Sequence, residues 1–208
     1  KITMTNNKNK TSTKGANVKQ LRKVVNNVLS QRAELKYDPI SQAGIATTTG
    51  GTVFPITQAT VLGDQLNQRD GNQIYLRKVD MRLDAQLTSL GLFGTMRYVL
   101  VMDKKNNGSL PAVTDIINTA VVNAPHTVIT TTNKRFIYLY DEIIPMAVGG
   151  NNQVIHRHIV KNINKAVHYN DNTDIAAANG TNSIFLLVIS NNTSIEHSFG
   201  IAKRYNDM

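Results

Sequence analysis

Apolar and polar side chains alternate along residues 74–87, which read Ile74-Tyr-Leu-Arg-Lys-Val-Asp-Met-Arg-Leu-Asp-Ala-Gln-Leu87. A repeat of two residues places one set of side chains on each face of an extended chain, so this stretch predicts a long strand with one buried face. The alternation slips by one position near Arg77–Val79, where two charged residues follow each other. The slip predicts a β-bulge within the strand.

Further strands are predicted on the C-terminal side of this stretch. They cover residues 95–102, 128–132, 135–144, 154–167, 183–190 and 194–205. Six successive apolar residues, Ile184–Ile189, indicate a buried central strand. Residues 154–167 carry mixed side chains on both faces, which leaves open the side that is buried. Pro111–Ala120 predicts a short helix, because proline fits the first helical turn and Val113, Ile116, Ile117 and Ala120 share a face.

Seven or eight strands separated by turn-forming residues predict an all-β protein built as a β-sandwich. The segment before the first strong strand, residues 37–73, has no clear period. Within it, Ala46–Val53 is rich in small, turn-prone residues and Gly63–Asn72 predicts a polar loop. The chain of 208 residues is long enough for one such domain and an arm.

Positive charge is concentrated at the N-terminus. The chain carries a net charge of +9 at pH 7, and residues 1–36 hold nine Lys or Arg against one acid, a net +8. Residues 37–208 are nearly neutral at +1. Such an arm is typical of polyanion binding, because each cation that neutralises a phosphate releases condensed counterions. A solvated tail without a function is the alternative. We therefore predict a nucleic-acid-facing arm over residues 1–36 and a sandwich domain over residues 37–208.

The arm itself divides into two parts. Residues 1–16 are polar and have almost nothing to bury, which predicts disorder. From Val18 to about Leu35, apolar residues recur at spacings of three and four, which predicts an amphipathic helix with Asn17 as its N-cap. No aromatic residue lies among the basic ones, which favours phosphate contacts over base stacking. The predicted nucleic-acid-binding residues are Lys8, Lys10, Lys14, Lys19, Arg22, Lys23 and Arg32.

The sequence lacks the motifs of the common enzyme classes. There is no Cys, which excludes a disulfide scaffold, a thiol nucleophile and a Cys-ligated zinc site. No Gly-x-Ser-x-Gly, P-loop or dinucleotide-binding motif occurs. No apolar run approaches the roughly 20 residues that cross a bilayer, and the first residues do not form a signal peptide. We expect neither catalytic residues nor a membrane partner.

Two pairs of side chains leave alternatives open. His156 and His158 are two residues apart, so in a strand they face the same way, as a metal pair or as part of a polar face. Asp171 and Asp174 lie in an oxygen-rich segment that forms either a weak calcium loop or an ordinary turn. A hydrolase that uses both histidines, or a small binding module such as a lectin or a nucleic-acid-binding domain, is the alternative to a structural protein.

Four segments resemble the coat proteins of satellite tobacco necrosis viruses in residues, order and spacing. They are Gly63-Asp64-Gln-Leu-Asn67-Gln68-Arg69-Asp-Gly71-Asn-Gln73, Pro111-x-Val113-x-x-Ile116-x-Asn118-Thr119-Ala120, Lys134-Arg135-Phe136, and Tyr169-Asn170 followed by Ala176-Ala-Ala-Asn-Gly180. The resemblance extends over roughly residues 18–208. Similar shells occur in some small circular single-stranded DNA viruses, so RNA and DNA genomes both stay open.

The resemblance implies an eight-stranded jelly roll that acts as a capsid protein of the virion, assembled in a host cell. It implies a T=1 icosahedral shell of about 60 identical copies, with the arms pointing inward onto the viral genome. Sixty arms would bring roughly 480 positive charges to the genome.

The resemblance also implies Ca²⁺ between subunits, and no other cofactor. Asp64 and Asp207 match the positions of acidic metal ligands. The alternatives for Asp64 are an N-cap and a salt bridge to Arg69. At the position of a further acidic ligand, in the N-terminal helix, this chain has Ser30, and Glu34 follows one turn later.

Overall fold

A computed structural model of the protein describes part of the chain. The described residues are Val18, Gln20, Leu21, 35–58, 60–88, 92–127, 135–149, 153–173 and 175–207. The chain divides into two units, Lys1–Glu34 and Leu35–Met208. In the first unit, Val18, Gln20 and Leu21 are helical. Three predictions lie outside the described residues: the rest of the N-terminal helix up to residue 34, the disorder of residues 1–16 and the strand 128–132. The helix was predicted to end at about Leu35, and this residue is not helical.

The second unit is built almost entirely from strands. Its described residues form β1 (Lys36–Ala46), β2 (Thr52–Pro55), β3 (Gln73–Leu87), β4 (Phe93–Asp103), β5 (Phe136–Ala147), β6 (Val154–His168), β7 (Ser183–Ser190) and β8 (Ile195–Asp207). A one-turn helix α1 (Val113–Ile116) follows β4, and a 3₁₀ turn (Ala176–Ala178) precedes β7. No helix in the described part of the chain is long and apolar enough to cross a membrane.

The eight strands form two four-stranded antiparallel sheets, in the orders β1-β8-β3-β6 and β2-β7-β4-β5. The first strand pairs with the eighth, the second with the seventh, the third with the sixth and the fourth with the fifth. This is the pairing of one long hairpin rolled into two sheets, and it defines the eight-stranded jelly roll. The prediction of an all-β sandwich is confirmed.

The main core lies between the two sheets. It takes the inward-facing residues of β3 and β8 from one sheet and of β4 and β7 from the other, including Leu76, Met81, Leu83, Met96, Tyr98, Leu100, Leu186, Val188, Phe199 and Ile201. A second core lies on the outer face of the β2-β7-β4-β5 sheet, where the segment around α1 covers Val99, Val101, Phe185, Leu187 and Ile189 with Ile116, Ile117 and Val122. No segment among the described residues covers the outer face of the β1-β8-β3-β6 sheet.

These two cores explain the apolar run in β7. Alternate residues of the strand point into different cores, so all eight residues from Ser183 to Ser190 are buried. A strand that is covered on both faces loses the alternation of polar and apolar residues. The prediction of a buried central strand is confirmed. The bulge predicted near Arg77 is also confirmed, since the pairing of β3 shifts register between Leu76 and Lys78 with both of its neighbours.

The helix predicted over Pro111–Ala120 is wrong in its extent. The structure has one helical turn, Val113–Ile116, and Pro111 precedes its N-cap, Ala112. The Asp115 carboxylate accepts a hydrogen bond from the Ala112 backbone N–H at 3.0 Å and so closes the N-terminus of the turn. The chain is extended again at Ile117, where it bridges to His126.

The sequence did not predict β1 and β2. β1 turns Lys36 and Asp38 inward, so its buried face carries no apolar alternation at its start. β2 has only four residues and ends at Pro55. In β6, by contrast, the structure resolves the open question of burial: Ile155, Ile163 and Val167 face the core.

A substitution at Gly180 tests how closely the segment before β7 packs against the backbone at the end of β6. A Cβ atom at this position would lie 2.5 Å from the carbonyl oxygen of His168, which is backbone and cannot rotate away. We expect Gly180→Ala to lower the free energy of unfolding of the dissociated subunit by about 1–3 kcal/mol, measured by urea denaturation. Gly200→Ala is the matched control, because a Cβ there meets nothing within 4 Å. Equal stability of the two variants would contradict the close approach.

Candidate functional site: a buried charge network at the root of the arm

Lys203 lies at the end of the sandwich where β1 begins and β8 ends. Its side chain is fully buried, and its Nζ lies 2.6 Å from Asp38 Oδ2 and donates a hydrogen bond to Thr60 Oγ1 at 2.8 Å. The Thr60 hydroxyl donates in turn to Asp38 Oδ2 at 2.7 Å. Burial lowers the pKa of the Lys203 ammonium, and the Asp38 carboxylate opposes that shift. The three side chains tie β8, β1 and the loop after β2 together.

Lys36, the first residue of β1, is only 2% exposed and lies between two carboxylates. Its Nζ is 2.5 Å from Asp70 Oδ1 and 2.7 Å from Asp207 Oδ2. Burial by itself would lower the pKa of Lys36, but the hydrogen bonds and charges of Asp207 and Asp70 outweigh it, so this pKa is raised. The stabilisation by Lys36 is therefore complete below pH 10.5 and is lost as the pH rises through the higher pKa of the folded state.

Arg69, in the loop Gly63–Gln73 that carries the first resemblance segment, is fully buried. Its guanidinium donates to the carbonyl oxygens of Thr60 at 3.0 Å and Asp171 at 2.5 Å, to the carbonyl oxygen of Gly71, and to Asn72 Oδ1 at 3.2 Å. It also lies over the Tyr169 ring, 4.1 Å from the centroid. Burial lowers the pKa of Arg69. Arg69 thus joins its own segment, Gly63–Gln73, to the segment that begins at Tyr169, and both of these resemble the coat proteins. Its role is to hold the two segments together.

The predicted metal ligands occupy different surroundings. Asp64 is exposed and forms no ion pair or hydrogen bond with the described residues, and Arg69 is engaged elsewhere. Asp207 is already the counter-ion of Lys36, and its Oδ1 accepts the backbone N–H of Asp70 at 3.2 Å. No group of three or more His, Cys, Asp or Glu side chains that could hold a metal ion occurs among the described residues.

The predicted nucleic-acid-binding residues, Lys8, Lys10, Lys14, Lys19, Arg22, Lys23 and Arg32, all lie outside the described residues. The net charge of +8 calculated for residues 1–36 includes Lys36, and the structure places Lys36 within β1. The sandwich unit begins at Leu35. The charge of the arm before this unit is therefore +7 rather than +8.

His156 and His158 share the exposed outer face of β6, and each contacts an aspartate of β3. His156 Nδ1 lies 2.5 Å from Asp84 Oδ1, and His158 Nε2 lies 2.8 Å from Asp80 Oδ1. Both histidines are more than half exposed. Each ring therefore already has a carboxylate partner on an open sheet surface.

Asp171, in the segment that was predicted as a weak calcium loop or an ordinary turn, makes the hydrogen bonds of a turn. The Asp171 carboxylate accepts hydrogen bonds from the backbone N–H of Thr173 at 2.9 Å and from its hydroxyl at 2.6 Å. These bonds lower the pKa of Asp171. Asp174 lies outside the described residues.

A second charge cluster, which the sequence did not indicate, holds the segment after α1 against the outer face of the β2-β7-β4-β5 sheet. Arg97 is 4% exposed and binds both carboxylate oxygens of Asp141 at 2.7 and 2.6 Å. It also donates to the carbonyl oxygens of Val122 and Ala124. His126 Nε2 lies 2.6 Å from Asp141 Oδ2. Burial alone would raise the pKa of Asp141, but the hydrogen bonds of Arg97 and His126 outweigh it and lower that pKa.

Comparisons with known proteins agree on one family. The family model described as satellite tobacco necrosis virus coat protein matches residues 4–208. The capsid protein of Satellite tobacco necrosis virus 1 is 31% identical over 176 residues, covering 85% of this chain and 86% of that protein. The coat protein of Maize white line mosaic Satellite virus is 28% identical over 195 residues, covering 92% and 89%.

Among solved structures, a chain of desmodium yellow mottle tymovirus overlaps 84% of this chain and 88% of its own length, with 9% identity and a TM-score of 0.38. An overlap at this TM-score adds nothing to the strand order, on which the jelly-roll assignment rests.

The Lys203–Asp38 pair provides a test of the network. We expect Lys203→Met to lower the free energy of unfolding of the dissociated subunit by about 3–5 kcal/mol, because Asp38 is left buried without its cation. The double variant Lys203→Met/Asp38→Leu should recover most of this loss, since no unpaired charge remains. Lys165→Met, at an exposed position, should change stability by less than about 0.5 kcal/mol. A double variant as unstable as the single one would contradict the pairing.

Proposed function

Because the chain belongs to the satellite tobacco necrosis virus coat protein family, we propose that it forms a T=1 shell of 60 copies that packages the viral genome through its basic arm. The chain is a coat protein of the virion capsid, with a structural and not an enzymatic role. The observation that carries the proposal is the separation of charge, +7 in residues 1–35 against a nearly neutral body. Sixty arms would supply about 420 positive charges to neutralise phosphates.

The body of the subunit has surfaces suited to contacts between copies. At one end of the sandwich, Leu92 is 78% and Phe93 72% exposed, and the exposed Val148 donates its backbone N–H to the carbonyl oxygen of Leu92 at 3.0 Å. Exposed apolar clusters of this kind are typical of protein–protein contacts. A nearly neutral body also allows copies to pack side by side without repulsion. Both features support self-assembly.

We include Ca²⁺ at subunit boundaries in the proposal, with Asp64 as the ligand that this chain offers most readily. The Asp64 carboxylate is exposed and has no competing partner among the described residues, which suits an ion completed by a neighbouring copy. Asp207 would have to share its carboxylate with Lys36. A bound Ca²⁺ would supply positive charge that joins oxygen ligands of adjacent subunits.

The arm is tested by removing its charge. We expect a variant with Lys8, Lys10, Lys14, Lys19, Arg22, Lys23 and Arg32 all changed to Gln to lose most of its packaged nucleic acid, because these side chains neutralise phosphates. Sedimentation with absorbance at 260 and 280 nm is the measurement. The wild-type shell should contain about 1.4 MDa of protein, from 60 copies of 22.9 kDa, together with nucleic acid.

The matched control exchanges Lys for Arg, and Arg for Lys, at the same seven positions. It keeps the charge and should package normally, since phosphate contacts of this kind read no sequence. Normal packaging by the Gln variant would refute the role of the arm. A wild-type species of one or two subunits without nucleic acid would refute the shell.

Calcium is tested on the assembled particle. We expect the wild-type particle to melt at a higher temperature in Ca²⁺ than in EDTA, and Asp64→Asn to remove a large part of this difference, because a bound ion stabilises only the state that holds it. Glu196→Gln, which removes a carboxylate on the exposed face of β8, should keep the full difference. An unchanged calcium response in Asp64→Asn would exclude Asp64 as a ligand.

A further inference from the structure

The exposed face of the β1-β8-β3-β6 sheet contains a trough that runs along β8. The outward residues Ser198, Gly200 and Ala202 are small, whereas β1 and β3 on either side carry larger side chains. The result is a cavity of about 530 Å³ between β1 and β3, and the name trough is used for this cavity. A separate recess of about 190 Å³ lies further along β8 and is lined by two acids, Asp84 and Glu196. Nothing in the described part of the subunit covers either of them.

Two arginines line this trough and form no hydrogen bond or ion pair within the described residues. Of the seven arginines in that part of the chain, five donate hydrogen bonds to other groups, among them Arg69, Arg97 and Arg135. Arg82 on β3 and Arg204 on β8 are exposed and form neither a hydrogen bond nor an ion pair there.

The acid that lines the same trough, Asp80, already has partners on its own sheet. Asp80 lies 2.8 Å from His158 Nε2 and 3.8 Å from Lys78 Nζ. The hydrogen bond of His158 and the charges of Lys78 and Arg82 lower the pKa of Asp80. The trough therefore keeps a net positive charge, because Asp80 is one acid against Arg82 and Arg204 among its lining residues.

The spacing of the cations suits a polyanion rather than a single ion. Arg82 lies opposite Gly200 in the pairing of β3 and β8, four residues from Arg204 along β8, which corresponds to roughly 13 Å. Tyr37 of β1 pairs with Arg204 and is 42% exposed, so its ring is available to stack on a base. Free guanidinium groups beside an exposed aromatic ring are typical of single-stranded nucleic-acid binding.

We propose that this trough binds a segment of single-stranded nucleic acid, with Arg82 and Arg204 on phosphates and Tyr37 against a base. The choice of ligand follows from charge, because the chain's own arm is cationic and would be repelled, and the body of another copy is nearly neutral. Tyr37 is two residues from Leu35, with which the sandwich unit begins. The inference rests on the proposed packaging, because the packaged genome is the source of the single-stranded nucleic acid. Binding in the trough does not require the arm.

The test is the salt dependence of RNA binding by the dissociated full-length subunit. A fluorescent single-stranded RNA oligonucleotide serves as the probe for wild type, Arg82→Gln/Arg204→Gln and the control Lys105→Gln/Lys165→Gln. Each lost phosphate contact on a single strand lowers the slope of log K against log salt by about 0.7. We expect the arginine variant to lose about 1.4 from the slope and the control, which removes two exposed lysines outside the trough, to lose none.

Two further measurements separate binding in the trough from binding by the arm and from a contact between copies. Ultraviolet cross-linking of the wild-type particle should attach RNA to the peptide that contains Tyr37, and Tyr37→Leu should remove that cross-link. In the arm variant with seven Gln, changing Arg82 and Arg204 to Gln should still lower the slope of log K against log salt by about 1.4. The proposal for the arm and the proposal for the trough can therefore fail independently. An unchanged slope in the arginine variant overturns the proposal. An unchanged slope together with loss of the particle assigns the trough to a contact between copies.

Discussion

The pairing of the first strand with the last is the constraint on which the rest of this subunit depends. It closes the rolled hairpin and brings Lys36 of β1 beside Asp207 of β8, two residues that are far apart in sequence. A buried cation at this junction needs its counter-ions, so the ion pairs favour one register of β1 on β8. The same pairing places Tyr37 of β1 beside Arg204 of β8, at one end of the trough.

Most charged side chains described in the sandwich unit form ion pairs or hydrogen bonds within that unit. Lys203, Arg69 and Arg97 are buried and hold loops and strands to one another through carboxylates and backbone carbonyls. Arg82 and Arg204 differ from this pattern, because neither forms a hydrogen bond or an ion pair within the described part of the subunit. These two guanidinium groups are the cations that the proposed trough offers to a polyanion.

Much of the fold was predictable because its strongest strands carry their pattern locally. β3 alternates on one buried face, and β7 is apolar because two cores cover it. The sequence did not show β1, because its inward residues are charged and become favourable only when Asp38 meets Lys203 and Lys36 meets Asp207. The helix predicted from Pro111 was too long, because a return of the chain to pair with His126 ended it after one turn. The resemblance identified Asp64 and Arg69 as part of a motif, but the burial of Arg69 against Tyr169 is a contact between distant segments.

The sequence by itself determined the class of the fold, the family and the concentration of charge in the arm, because strand periodicity, motif order and net charge are properties of neighbouring residues. The tertiary structure alone decided which charges are buried and which are free. Lys203 and Arg204 are adjacent in the chain, yet the pleat of β8 turns one into an ion pair in the core and the other into the open trough. Whether a cation stabilises the body or is left to bind a ligand depends on the strands that pair beside it, and that pairing joins residues from opposite ends of the chain.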